Sequence, residues 1–160
     1  SIGMFKGGLV DNTIDVTKFH TTTHLLHAAL RKVLGDQVSQ KGSNITSERL
    51  RFDFSYQQKL KEEEISKVEK IINDVIQKDL PVNLETKKLD EAIAEGALHF
   101  FAEKYGEKVK VYTIEKSGEY FSKEVCGGPH VARTGEIGRV RIIKQEKVGA
   151  GIMRIYMSNK

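Results

Sequence analysis

Between Phe19 and Leu30 the sequence reads FHTTTHLLHAAL, and this stretch limits the possible folds more than any other. Phe19, Leu26, Leu30 and Val33 recur with the spacing of one helical stripe, with Thr17 as the expected N-cap and Gly35 as the stop. At about 100° per residue, His24 lies about 40° to one side of His20 and His27 about 20° to the other. All three imidazoles therefore point one way, beside the apolar stripe rather than within it, and they must line an edge of the core. Thr23 falls between the histidine row and the apolar stripe, so its hydroxyl is expected to face the same space.

Two histidines four residues apart can hold one metal ion, whereas His20 and His27 are separated by about 10.5 Å of helix rise and share one only with difficulty. One pair ligates and one histidine is left over. Taken alone, such a pair is more often packed or hydrogen-bonded than metal-bound. A second motif changes the balance. Cys126 and His130 bracket Gly127, Gly128 and Pro129 in CGGPH, a stretch that cannot lie mid-helix but can turn sharply enough to aim a thiolate and an imidazole at one point. Three imidazoles and one thiolate suit zinc. Four protein ligands make a closed, structural site; a catalytic role requires a fifth ligand or a loosely held His130. A chain with this many apolar positions does not need a metal staple, so both roles stand.

The remaining pattern gives the fold class. At 160 residues, 39% hydrophobic and 30% charged, the chain can build one substantial core, and a single domain over residues 1–160 is expected. Residues 1–16 are set aside as a remnant of an upstream domain or a tag. DQVSQKGSNITSERLRFDF reads as a hairpin with its turn signal at Gly42, Ser43 and Asn44 and with Leu50, Phe52 and Phe54 alternating against Arg51 and Asp53. Ile65, Val68, Ile72, Val75 and Ile76 mark an amphipathic helix that stops before Pro81. LPVNLET reads as extended, LDEAIAEGALHFFAEKYG as helical with His99 a satisfied residue at the core edge, and KVKVYTIE, EYFSKEVC, IGRVRIIKQ and GIMRIYM as strands. This order predicts an α+β fold, an antiparallel sheet with helices packed on one side.

No apolar run approaches the roughly 20 residues needed to cross a bilayer. The lone Cys126 excludes an internal disulfide framework, and a reducing cytoplasmic setting is expected. The net charge of +4 favours an anionic partner without demanding one. Arg133, Arg139, Arg141, Lys144, Lys147 and Arg154, opposed only by Glu136 and Glu146, suggest a basic C-terminal face, although solvated strand surface explains them equally well.

The segments HTTTHLLHAALRKVLGDQVSQKGSNITSERLRFDFS, GALHFFAEKYGEKVKVYTI and CGGPHVARTGEIGRVRIIKQEKVGAGIMRI together resemble the editing domain of alanyl-tRNA synthetase and its free-standing AlaX-type trans-editing relatives, from about Gly7 to the end of the chain. The editing domain of threonyl-tRNA synthetase shares the metal motifs but resembles the intervening segments less. The resemblance implies zinc-dependent hydrolysis of the ester bond of mischarged alanine tRNA carrying serine or glycine. It implies His20, His24, Cys126 and His130 as the metal ligands, leaving His27 outside the set. It also implies Thr23 as the residue that recognises the serine hydroxyl and Gln40 as an active-site glutamine. Phosphate contacts from Lys41, Arg51, Arg133, Arg139 and Arg141 are expected to hold the tRNA. Pro129 stands where many relatives have threonine. Two other readings compete: a non-catalytic tRNA-binding module whose zinc only fixes the Cys126 to His130 turn, and a threonyl-type editor acting on a different seryl-tRNA.

Overall fold

The structure, a computed structural model, describes residues 2–100 and 105–160, with side chains from residue 14 onward. Helix α1 (Ile2–Leu34) is followed by β1 (Gln40–Ile45), β2 (Leu50–Ser55), α2 (Glu62–Gln77), β3 (Asn83–Lys88), α3 (Leu89–Ala94), β4 (Lys108–Lys116), β5 (Glu119–Val125), a 3₁₀ turn (Thr134–Ile137), β6 (Arg141–Gly149) and β7 (Ile152–Ser158). The α+β class with antiparallel strands is as expected. The strands divide into two sheets, one ordered β1-β2-β7-β6 and the other β3-β4-β5. Among the described residues no helix is long and apolar enough to cross a membrane.

Period-two alternation builds the larger sheet. Leu50, Phe52 and Phe54 of β2 and Met153, Ile155 and Met157 of β7 are buried on one face, where they meet Phe19, Leu26 and Leu30 of α1 and Val68, Ile72 and Val75 of α2. Burying side chains of this size stabilises by about 1.5–3 kcal/mol each. The opposite face carries Arg51, Asp53 and Arg154, with Arg154 Nε 2.8 Å from Asp53 Oδ1 and Arg51 Nη2 3.2 Å from Asp53 Oδ2. Ala92, Ala97, Val109, Val111 and Val125 form a smaller apolar cluster beneath α3. Helix α1 contacts both β1 and β2 of the first sheet and β5 of the second, so the histidine row lies where the two sheets approach.

Four local expectations are corrected. Helix α1 begins at Ile2, so Thr17 lies within it rather than capping it; Asp11 to Thr17 contains neither glycine nor proline to interrupt the helix. Ser1 and the side chains of residues 2–13, within the segment set aside as a remnant, lie outside the described residues. The hairpin turn falls at Thr46 to Arg49 and not at Gly42 to Asn44. There the Thr46 hydroxyl accepts the N–H groups of Glu48 (3.1 Å) and Arg49 (3.3 Å), a side-chain turn that competes well with the glycine signal. Helix α3 ends at Ala94, because Gly96 adopts φ 89°, sends its N–H to the Ile93 carbonyl and lets Leu98 pair with β5. The rest of that expected helix is either non-helical or, at residues 101–104, outside the described residues. Strand β6 starts at Arg141, since Thr134–Ile137 is taken up by the 3₁₀ turn.

Candidate metal centre and its cavity

The ligating atoms of His20, His24, Cys126 and His130 all lie within 4.8 Å of one another. Two come from α1, and two from the turn that leaves β5. The turn owes its shape to Gly128, whose φ of 72° places the backbone against the Tyr112 side chain where no Cβ would fit. Cys126 Sγ is 3.1 Å from His20 Nε2, and the Gly128 N–H points at the same sulfur from 3.5 Å. The His20 and His130 rings stack with centroids 4.2 Å apart, and His24 sits edge-on to His130 at 4.2 Å.

Two of the three imidazoles are hydrogen-bonded from behind, and the third faces a carboxylate. His20 Nδ1 is 2.8 Å from the Pro129 carbonyl, which can only accept, so Nδ1 carries the proton and Nε2 offers its lone pair to the cluster. His24 Nδ1 faces Glu124 Oε2 at 3.6 Å. His130 Nδ1 is 2.9 Å from the Thr21 hydroxyl, and its Nε2 is buried with no hydrogen-bond partner among the described residues. A buried nitrogen facing a thiol and two imidazoles without a partner is what a metal-binding set leaves when its donors converge on a cation.

Electrostatics favours the neutral, ligand-ready forms. Burial, reinforced by positive charge on His24, pushes His20 down to about 3. Burial also lowers His24, against the pull of Glu124, and it carries His130 well below the usual histidine range together with the charges of His24 and His20. Glu124 is buried as well. Desolvation alone would raise its carboxyl, but attraction to His24 and His27 outweighs that and leaves it lowered. Neutral imidazoles and an ionised carboxylate behind them are the protonation states that a zinc site requires.

His27 is the histidine left over. Its Nδ1 lies 3.1 Å from Glu124 Oε1, so one carboxylate spans His24 and His27. His99 is half-buried at the core edge, its ring edge-on to Tyr105.

Beside the four donors is a cavity of about 70 Å³ lined by Thr23, Gln40, Ser43, Phe100, Tyr105 and Gly127. The structure thus brings Thr23 and Gln40 to the same space as the cluster. The Thr23 hydroxyl donates to the Phe19 carbonyl at 2.9 Å, so it presents lone pairs, not its proton, to the cavity. Gln40 Nε2 donates to Ser43 Oγ over a long 3.4 Å. The basic residues are more scattered. Lys41 is exposed one residue from Gln40, and Arg139 is exposed against the α2 face. Arg51 is half-buried on Asp53, Arg133 is engaged by Asp79, and Arg141 donates to the Lys160 carbonyl. Lys144 and Arg154 are drawn to Glu146, so the expected basic C-terminal face is in large part internally paired.

Sequence reasoning passed over Thr21, Ser43 and Glu124. Glu124 had a readable signal: on a strand it shares a face with Ser122 and approaches Cys126 at the spacing of two. Thr21 had none, because its partner is supplied by a turn 109 residues away.

Residues 109–156 match the family described as threonyl and alanyl tRNA synthetase second additional domain. The chain is 53% identical over 152 residues to the alanine–tRNA ligase of Treponema pallidum, covering 95% of this chain and 24% of that protein. It is 55% identical over 152 residues to that of Treponema denticola, covering 95% and 25%. With the alanine–tRNA ligase of Fervidobacterium nodosum it shares 52% identity over 136 residues, covering 85% and 15%. The chain spans about a quarter of the length of the two Treponema relatives.

Proposed function

The chain resembles the editing domain of alanyl-tRNA synthetase along nearly its whole length, and from that premise we propose that residues 1–160 form an editing-type domain that hydrolyses the ester bond of alanine tRNA mischarged with serine or glycine. The ligands of its zinc ion are His20, His24, Cys126 and His130. The observation that carries this reading is that three of those donors, His20, His24 and Cys126, line a cavity shared with Thr23 and Gln40. Bound zinc would supply Lewis-acid polarisation of the ester or a water of near-neutral pKa.

The chain's own residues account for orientation and selectivity. The Thr23 hydroxyl, its proton committed to the Phe19 carbonyl, accepts a hydrogen bond from the seryl hydroxyl. Alanine leaves that acceptor unpaired in a buried site, and sites built to bond a substrate hydroxyl discriminate far better than sites that sense volume alone. Gln40 exchanges its long contact with Ser43 for a polar group of the aminoacyl end. Gly127, which lines the cavity without a side chain, admits the ester close to the backbone. The terminal adenosine arrives as a single-stranded end that can be splayed into a pocket, while Lys41, Arg51, Arg133, Arg139 and Arg141 contribute phosphate contacts. The setting is cytoplasmic, where Cys126 stays reduced.

The four protein donors also favour a second reading, a closed zinc site that only fixes the Cys126 to His130 turn of a tRNA-binding module. Hydrolysis of seryl-tRNA of the alanine type by the wild-type chain and by Cys126→Ala, with seryl-tRNA of the threonine type alongside, separates the alternatives. The proposal expects turnover that is confined to the alanine tRNA and lost in the variant. Binding of tRNA and zinc without turnover would establish the closed site instead, and turnover of the threonine tRNA would make the chain a threonyl-type editor.

A further inference from the structure

Thr21 follows His20 on α1, about 100° around the helix from it, and is fully buried. Its Oγ1 has three neighbours: the Val131 N–H at 3.1 Å, His130 Nδ1 at 2.9 Å and the Thr17 carbonyl at 3.3 Å. A hydroxyl has one proton and two lone pairs, and that inventory together with the surroundings of His130 Nε2 favours one assignment. The Val131 N–H occupies one lone pair. The Thr17 carbonyl can only accept, so it takes the hydroxyl proton. The remaining lone pair faces His130, whose Nδ1 must then carry hydrogen, and Nε2 is left as a bare lone pair pointing into the cluster. The opposite assignment would put the proton on Nε2, a buried nitrogen with no acceptor among the described residues, and would spoil it as a ligand.

From this geometry we infer that Thr21 is a positioning residue of the metal centre: its hydroxyl selects the Nδ1–H tautomer of His130 and clamps the Val131 backbone to α1. The inference rests on the zinc reading above. It differs from the roles of the four donors and of Thr23, because Thr21 does not line the cavity and is not among the donors; it acts through His130 and the turn that carries it. It also explains how a ligand on a half-exposed turn can be held as firmly as the two on the helix. The tie is reciprocal. The turn's Pro129 carbonyl fixes His20, and the helix's Thr21 hydroxyl fixes His130.

The test measures metal affinity by chelator competition with zinc, and ligand geometry by the visible absorption of the cobalt-substituted protein, for the wild-type chain, Thr21→Val and Thr21→Ser. Loss of an outer partner of a metal-bound histidine weakens binding about 10–100-fold. Thr21→Val is expected to fall in that range with a shifted cobalt spectrum, and Thr21→Ser, which keeps the hydroxyl, to stay within a few-fold of wild type. A folded Thr21→Val that binds zinc like the wild type, with an unchanged cobalt spectrum, overturns the inference while leaving the zinc centre intact. Should Thr21→Val not fold, nitrogen NMR of His130 in metal-free wild-type protein decides: the Nδ1–H form supports the assignment and the Nε2–H form overturns it. A wild-type chain that takes up neither zinc nor cobalt overturns the metal reading itself, and this role with it.

Discussion

His20 donates its Nδ1–H to the carbonyl of Pro129 over 2.8 Å, a bond that joins residues 109 positions apart and aims the opposite nitrogen of the ring at Cys126. Bonds of this kind place the donors before any ion arrives, and the consequences can be measured.

Zinc is expected to raise the melting temperature of the chelator-treated chain. At free zinc one hundred times its dissociation constant the gain is about 2.7 kcal/mol. Cys126→Ala removes the thiolate that opposes three neutral imidazoles, and calorimetry with and without zinc is expected to show most of that gain abolished.

Acid is expected to destabilise the metal-free protein. His20 sits at about 3 in the folded chain against 6.5 for an ordinary histidine. The unfolded chain therefore binds a proton that the folded chain refuses as pH falls from 6.5 towards 3. The contribution is fully present above pH 6.5 and is lost at about 1.4 kcal/mol per pH unit below it. Lowered His24 and His130 act in the same direction. Urea midpoints at pH 7, 6 and 5 in the presence of a chelator are expected to fall in that order; equal midpoints would contradict burial of neutral imidazoles.

Thr23→Val is expected to blur the distinction between serine and alanine. It keeps the volume of the side chain and removes the lone pairs that face the cavity. A neutral hydrogen bond contributes about 0.5–1.5 kcal/mol, which corresponds to as much as about tenfold in selectivity. The ratio of seryl- to alanyl-tRNA hydrolysis reports it directly, and an unchanged ratio would remove Thr23 from recognition.

Glu124→Gln replaces a carboxylate that faces two imidazole nitrogens with a group that offers one acceptor and one donor. With the amide nitrogen in place of Oε1, His27 must change tautomer or lose its partner, and with it in place of Oε2, His24 faces a donor where it faced a carboxylate oxygen. Zinc affinity is expected to fall about 10–100-fold, and the metal-free chain to lose about 1–3 kcal/mol. Chelator competition and urea unfolding separate the two effects.

Gly128→Ala is expected to destabilise the turn by about 1–3 kcal/mol, because φ at this position is 72° and the added methyl would meet the Tyr112 hydroxyl. Thermal unfolding of Gly128→Ala beside Gly128→Ala/Tyr112→Phe distinguishes the terms: removing the hydroxyl restores only the steric part.

These sites differ in how far the sequence revealed them. The histidine row, the Leu50-Phe52-Phe54 face and the α2 stripe are periodic, and periodicity is a local property that a sequence displays. The start of α1, the end of α3 and the hairpin turn depend on single residues competing for backbone groups, as Thr46 and Gly96 do, so they came out displaced. Glu124 was legible only through its strand spacing to Cys126, and Thr21 lies beyond local pattern altogether. Thr21 matters only because the turn after β5 lies against it, and nothing within a few residues of it marks that turn.

The donors come from opposite ends of the chain, with His20 and Cys126 lying 106 positions apart. A short peptide carrying either motif has at most half of the set, and an extended chain holds the halves far out of reach of one another. The optical signature of a cobalt ion at this centre would therefore be silent on helix formation or collapse. It would appear only when α1 and the turn after β5 have docked, which makes it a clock for that one docking event.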